Sequence, residues 1–364
     1  MTKLKFAFVL LLFSGLVGFA ADMRQGKIAR LVQTAHAKGE FSGVVLVAQG
    51  DKLIYAGAVG LANRTWNIPH RLDTRFRICS ITKQFTALLV MQLVESGKLS
   101  LDATISEYLP EYRAETGRKI RLRDLLNSAS GLPSSDDLAF YQLDEAKLSE
   151  LNYVVKTYFS GDLTFAPGSR FNYNNADFII LGAIIEKVTG QSYERVLRER
   201  ILSPLGMKNS GLIRHEDIIP NLAAGYVKGA NQPQNEPYYR VQNYSSAGAM
   251  YSTAEDMWLW NKALMSNKLL SPKATAEMFT PSAKLGFVAF GSWAYTLKLA
   301  DGKKHRLIER QGNIGGFCNL NIIAPEDKYS VTLLSNTETD TLFRTYTGEG
   351  LSYDILSALT EANK

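Results

Sequence analysis

Apolar and polar positions change period twice along this chain. Phe41 to Ala48 and Leu53 to Val59 are short runs of apolar and β-branched residues separated by Gln49-Gly50-Asp51-Lys52, a pattern that predicts a hairpin. From Ser80 the spacing turns helical. Phe85, Ala87, Leu88, Leu89, Val90, Met91, Leu93 and Val94 leave almost no polar stripe, which predicts a helix buried on nearly all sides and ended at Gly97. Helical spacing continues to about Met278. Asn175 to Val188 predicts a helix closed by Gly190, and Ser252-Thr253-Ala254-Glu255 reads as a capping box that opens another, carrying Met257, Trp258, Trp260 and Leu264. Strand patterns then return in Phe287 to Leu299, Arg306 to Arg310, Leu320 to Ile323 and Ser330 to Leu334, with Asp301-Gly302 as a tight turn. Near the start, Asp22 to Lys38 predicts a short helix with Ile28, Leu31, Val32 and Ala35 on one side.

Strands first, helices in the middle and strands last is the order expected when a helical subdomain is inserted into an antiparallel sheet. This predicts an α+β fold, with an α/β part over about 22–75 and 285–364, a helical part over about 80–280, and a cleft where the two meet. At 46% hydrophobic residues the chain can bury a large core.

The first twenty residues stand apart from that body. Lys3 and Lys5, the apolar run Phe6 to Val17 and the small-residue end Gly18-Phe19-Ala20 form the three regions of a secretory signal, with cleavage expected after Ala20. The run is short for a membrane span. No cysteine follows to take a lipid, so a periplasmic or secreted protein with no stable membrane anchor is expected, its mature domain covering 21–364. The formal net charge of +6 is mild. Arg113, Arg118, Lys119, Arg121 and Arg123 cluster, but glutamate and apolar residues interleave, so a solvated face is expected and a nucleic-acid partner is not.

Chemistry concentrates at Ser80-Ile81-Thr82-Lys83. Residues three apart share a helix face, so Ser80 Oγ and Lys83 Nζ can meet, and a lysine in apolar surroundings near a helix N-terminus loses proton affinity and can deprotonate a hydroxyl. Alone, this spacing also suits a helix-capping serine and a solvated lysine. A second constellation is Phe171-Asn172-Tyr173-Asn174-Asn175, where a tyrosine and an asparagine two apart can face one pocket or simply start a helix. The third is Glu309-Arg310-Gln311-Gly312-Asn313-Ile314-Gly315-Gly316-Phe317, whose glycines permit close approach of a backbone or ligand, or mark a β-bulge.

In this order the three resemble the motifs of the serine β-lactamase and penicillin-binding superfamily, most closely its class C-like branch, which also holds D-alanyl peptidases and esterases. Leu125 to Leu132, Leu181 to Gly190, Pro204-Leu205-Gly206-Met207 and Ser245-Ser246-Ala247-Gly248 extend the resemblance over nearly all of residues 21–364. It implies a β-lactamase/transpeptidase-like fold, an antiparallel sheet flanked by terminal helices with an inserted all-α subdomain. It further implies Ser80 as nucleophile, Lys83 and Tyr173 as the proton-transferring pair, Asn175 as a substrate-amide or network partner, and the backbone amides of Ser80 and Asn313 as an oxyanion hole. The third motif departs from the family's Lys-Thr-Gly or His-Thr-Gly: Arg310-Gln311-Gly312 keeps the positive charge and loses the hydroxyl. Arg310, with Gln311 and Gly312, is then expected to bind the carboxylate of a β-lactam or of a terminal D-alanine.

The implied activity is that of an exported serine hydrolase acting through an acyl-enzyme on an amide, β-lactam or ester carbonyl, without cofactor or metal. Its substrate would be a small molecule or a peptide, with peptidoglycan fragments among the candidates. A carboxylesterase of the same fold, or a penicillin-binding or peptidoglycan-sensing module that acylates without turnover, are the alternatives. None of His36, His70, His215 or His305 sits in a Ser-His-Asp motif, no Gly-x-Ser-x-Gly elbow occurs, and the histidines are too scattered for a metal site. Cys79 and Cys318 flank the first and third motifs, so both a disulfide and a pair of buried thiols remain open.

Overall fold

Along the strand Gly43–Gln49, Val44, Leu46 and Ala48 enter one core while Val45 and Val47 enter another, which is why the run is apolar throughout instead of alternating. The computed structural model, which describes residues 23–133, 140, 143, 150–230 and 232–361, places this strand in a seven-stranded antiparallel sheet. In spatial order the strands are Val288–Ala289, Ser292–Lys298, Lys304–Ile314, Phe317–Ala324, Tyr329–Ser335, Gly43–Gln49 and Lys52–Val59. The expected hairpins are present, joined at Gly50-Asp51 and at Asp301-Gly302, where Gly50 and Gly302 take the left-handed φ that such turns require. The expected strand Phe287 to Leu299 is broken in two. Gly291 turns at φ +66°, and a side chain there would meet the Lys83 carbonyl at 2.6 Å, so this break lies against the helix that carries Lys83. The segment 1–20 lies outside the described residues.

The terminal helices Met23–Ala37 and Gly350–Thr360 cover one face of the sheet, with Ile28, Val32, Ile355, Leu356 and Leu359 packed on Val45, Val47, Leu320, Ile322, Val331 and Leu333. The other face carries the helical part. Its centre is Thr82–Glu95, where every residue from Thr82 to Met91 is buried and Phe85 stacks on Trp260 with ring centroids 3.9 Å apart. Two crossing bonds close this helix. Lys98 N–H donates to the Leu93 carbonyl and Gly97 N–H to that of Val94, with Gly97 at φ +70°.

Asn175–Thr189 follows the expected span, capped by the Asn174 side chain and closed by left-handed Gly190. The next cap is displaced by one residue from the expected box. Ser252 is taken up by the short strand Met250–Ser252, so Thr253 caps Ala254–Met265 by accepting from Asp256 N–H at 3.2 Å. The middle region also holds a three-stranded sheet of Phe76–Arg77, Met250–Ser252 and Gly211–Leu212, which sequence periodicity did not suggest because its strands are two or three residues long. The basic cluster is neutralised in part by acids: Arg113 meets Asp162 and Glu115, and Arg123 meets Asp102.

Candidate active site

Ser80 sits on a single 3₁₀ turn, Cys79–Ile81, that feeds directly into Thr82–Glu95. The turn is held in a form that few residues adopt. Cys79 has φ +52°, and Thr82 Oγ1 donates back to the Cys79 carbonyl at 2.6 Å. The strand Lys304–Ile314 outruns its neighbour, which stops opposite Glu309, so Arg310 to Ile314 have one edge unpaired. That edge lies against the serine turn. A Cβ on Gly312 would sit 2.2 Å from the Ile78 carbonyl oxygen, so only glycine lets the two backbones come this close.

Four side chains converge on Ser80. Its Oγ lies 2.5 Å from Tyr173 OH and accepts from Lys83 Nζ at 3.2 Å. Lys83, fully buried, also donates to Asn175 Oδ1 and to the Ala247 carbonyl, both at 2.7 Å, and its Nζ lies 4.9 Å from the Tyr173 ring centre. Tyr173 OH reaches Asn175 Oδ1 at 3.4 Å. Tyr173 and Asn175 point into this cluster because Asn174 between them is turned away, capping the helix and donating to the Pro133 carbonyl at 2.8 Å. Asp177, next but one along that helix, is fully buried. Burial raises its carboxyl well above the usual carboxylate range, against the pull of Ser130 and of Lys83.

Arg310 belongs to the same cluster in a different way from the one its sequence position suggested. It is 3% exposed, its Nε donates to the Ser80 carbonyl at 3.0 Å, and its terminal nitrogen donates to Tyr173 OH at 3.1 Å. Its guanidinium carbon lies 5.2 Å from the Tyr173 ring centre and 4.9 Å from that of Trp293. Burial lowers its pKa, opposed by Tyr173 and Glu309. Gln311 is not brought to Ser80: strand alternation sets it with Glu309 and Leu307 on the face of the terminal helices, where its amide donates to Glu309 Oε1 at 2.8 Å. Asn313 is exposed, on the unpaired edge, with its side chain on Cys318 Sγ.

The two cysteines are free and buried, one on each side of the sheet: Cys79 packs with the helical part and Cys318 with the terminal helices. Burial pushes their thiols up, to about 12 and about 11. His36 bonds the Phe41 carbonyl, His70 bonds Asn336 and His305 bonds Asp301 and Asp327. Among the described residues no group of three His, Cys, Asp or Glu could hold a metal, and no helix is long and apolar enough to cross a membrane.

Three contributors left no local signal in the sequence. The Ala247 carbonyl is a backbone atom. Trp293 comes from the strand Ser292–Lys298, far in sequence from Ser80 and Tyr173, and Glu236 comes from a loop, where it pairs with Arg77 and accepts from Gly316 N–H at 3.0 Å.

The Beta-lactamase family model matches residues 28–349, and the chain belongs to that family. Penicillin-binding protein 4* of Bacillus subtilis (strain 168) is 26% identical over 337 residues, which cover 88% of this chain and 74% of the relative. Protein flp of Staphylococcus aureus (strain N315) is 24% identical over 325 residues, and these span only 64% of its length. Among solved structures, a penicillin binding protein from Bacillus halodurans superposes with a TM-score of 0.74 at 27% identity, covering 90% of this chain and 98% of its own. EstCE1, a hydrolase with promiscuous acyltransferase activity, gives 0.75 at 25%, covering 93% and 98%. A class C beta-lactamase gives 0.78 at 24%, covering 96% and 99%, a likeness of fold. Mixed α and β structure around a large antiparallel sheet is thus the β-lactamase/transpeptidase fold.

Proposed function

We propose that the protein is an exported serine hydrolase in which Ser80 forms an acyl-enzyme with an amide, β-lactam or ester carbonyl. One observation carries this reading: Ser80 Oγ is within hydrogen-bond reach of both Tyr173 OH, at 2.5 Å, and Lys83 Nζ, at 3.2 Å. Ser80 Oγ attacks the carbonyl carbon while its proton passes to the Lys83–Tyr173 pair. The tetrahedral oxyanion is held by the backbone amides of Ser80 and Asn313, the latter on the unpaired strand edge that faces the serine turn. The pair then returns the proton to the leaving group as the carbon–heteroatom bond breaks. Water hydrolyses the acyl-enzyme by the same route in reverse.

Asn175 orients Lys83 through the 2.7 Å bond, and Arg310 positions Tyr173 OH with a cationic donor at 3.1 Å. Gly312 serves by letting the strand reach the serine turn. The substrate is a small molecule or a peptide, and penicillin-binding relatives make peptidoglycan-derived peptides a class to test. Export is supported by the signal-like sequence of residues 1–20. Intact-mass analysis of the protein with a penicillin, a D-Ala-D-Ala peptide and a p-nitrophenyl ester tests the reading. A transient adduct with turnover is expected, whereas a permanent one would make the protein an acylated binding module.

A further inference from the structure

We propose that the substrate of this site is a neutral ester or amide carrying an apolar, preferably aromatic, group that packs against Trp293, Phe171 and Phe287. The inference rests on Ser80 being the nucleophile. Both cations that reach the serine are built into the site: Lys83 is fully buried on Ser80, Asn175 and Ala247, and Arg310 is 3% exposed on Ser80 and Tyr173. Arg310 is also flanked by aromatic rings. Its guanidinium carbon stands 4.9 Å from the Trp293 ring centre and 5.2 Å from that of Tyr173, and at 3% exposure it presents almost no surface to an incoming carboxylate.

Beyond Trp293 the wall continues outward. Phe171 meets Trp293 edge to face with centroids 5.3 Å apart at 90°, and Phe287 does so at 5.6 Å and 85°. Phe171 and Trp293 are half-buried while Phe287 is 52% exposed. The three rings therefore run from Arg310 to solvent. Exposed aromatic area of this kind binds apolar and aromatic groups through buried surface and edge-to-face contact, and offers nothing to a carboxylate. Phe171 lies two residues before Tyr173 and Trp293 opposite Glu309 in the strand pairing, so the wall is tied to the segments that carry Tyr173 and Arg310.

The ring could sit on either side of the scissile bond, and two substrate pairs distinguish them. On the acyl side, p-nitrophenyl 3-phenylpropanoate is compared with p-nitrophenyl succinate. On the leaving side, benzyl acetate is compared with acetoxyacetate. In at least one pair the wild type is expected to favour the neutral aromatic member by about tenfold or more in kcat/KM, the scale of one well-packed ring. Phe287→Ala is expected to shrink that ratio several-fold and Phe287→Tyr to keep it. Phe287 is an exposed side chain, so folding is not at stake in either variant. Fluorophosphonate labelling of Ser80 is measured on each protein. A labelled wild type that prefers the anionic member in both pairs, or a ratio unmoved by Phe287→Ala, overturns the aromatic subsite and leaves the nucleophile standing. Absent labelling overturns both.

Discussion

Arg310 and Tyr173, 137 residues apart in sequence, meet at 3.1 Å with the guanidinium donating to the phenol oxygen. The expected role of Arg310 is to grip a substrate carboxylate, and we propose instead that it acts through Tyr173. Arg310→Ala should then lower kcat/KM for nitrocefin and for a neutral p-nitrophenyl ester by similar factors. About 1.5–3 kcal/mol, the range for hydrogen bonds to charged groups, corresponds to about 10- to 150-fold. A loss confined to nitrocefin would return Arg310 to carboxylate binding.

Lys83 and Tyr173 both touch Ser80 Oγ, and Asn175 touches both. Groups that move one proton act as a unit, so Lys83→Ala and Tyr173→Phe should each cost nearly as much as the double variant. Losses in kcat/KM that multiply in the double variant would mean that the two contribute independently.

Much of this site is legible in the sequence, and the unread part has a common cause. Ser80 and Lys83 are local, three residues apart at the head of a helix whose apolar pattern is unmistakable. Tyr173 and Asn175 alternate about a capping asparagine. Arg310 is placed correctly on its strand by the glycines that follow, yet which neighbour it takes is decided by Tyr173 and Trp293 across the fold, at separations no local pattern encodes. Gln311 was recoverable, since a period of two sets it opposite Arg310 and Gly312. The cap at Thr253 was ambiguous because Ser252-x-x-Glu255 and Thr253-x-x-Asp256 both fit, and only the pairing of Ser252 with Phe76 decides. The state of the cysteines depends on which face of the sheet each one enters.

Glu236 fastens the tip of the strand Lys304–Ile314 to the segment before Ser80, through Gly316 N–H and Arg77. A Cβ on Gly315 would lie 2.3 Å from its carboxylate, and one on Gly225 2.6 Å, so two glycines make room for it. Arg77 is mostly buried, its guanidinium 4.2 Å from the Phe317 ring centre, and burial pulls its pKa down to about 10. Leaving that cation unpaired should cost about 3–5 kcal/mol. Glu236→Ala is therefore expected to lower Tm by several degrees, and a Tm within a degree of wild type would show that the bridge contributes nothing.

His305 ties two turns together through Asp327 at 2.8 Å and Asp301 at 3.1 Å. Burial lowers its pKa, but the bonds to the two acids outweigh this and the net shift is upward. A raised folded-state pKa adds stability that is fully present below about 6.5, the unfolded value, and is lost as pH rises through the folded one. Between pH 6 and 8.5 the wild type should lose more Tm than His305→Gln. Parallel curves for the two proteins would remove this contribution.

The claim on which the rest depends is that Ser80 is the acylated residue, and peptide mapping of the protein after a fluorophosphonate or a β-lactam tests it most directly. The adduct is expected on the peptide containing Ser80, with both labelling and turnover abolished in Ser80→Ala. An adduct on another residue, or undiminished turnover in Ser80→Ala, would contradict it.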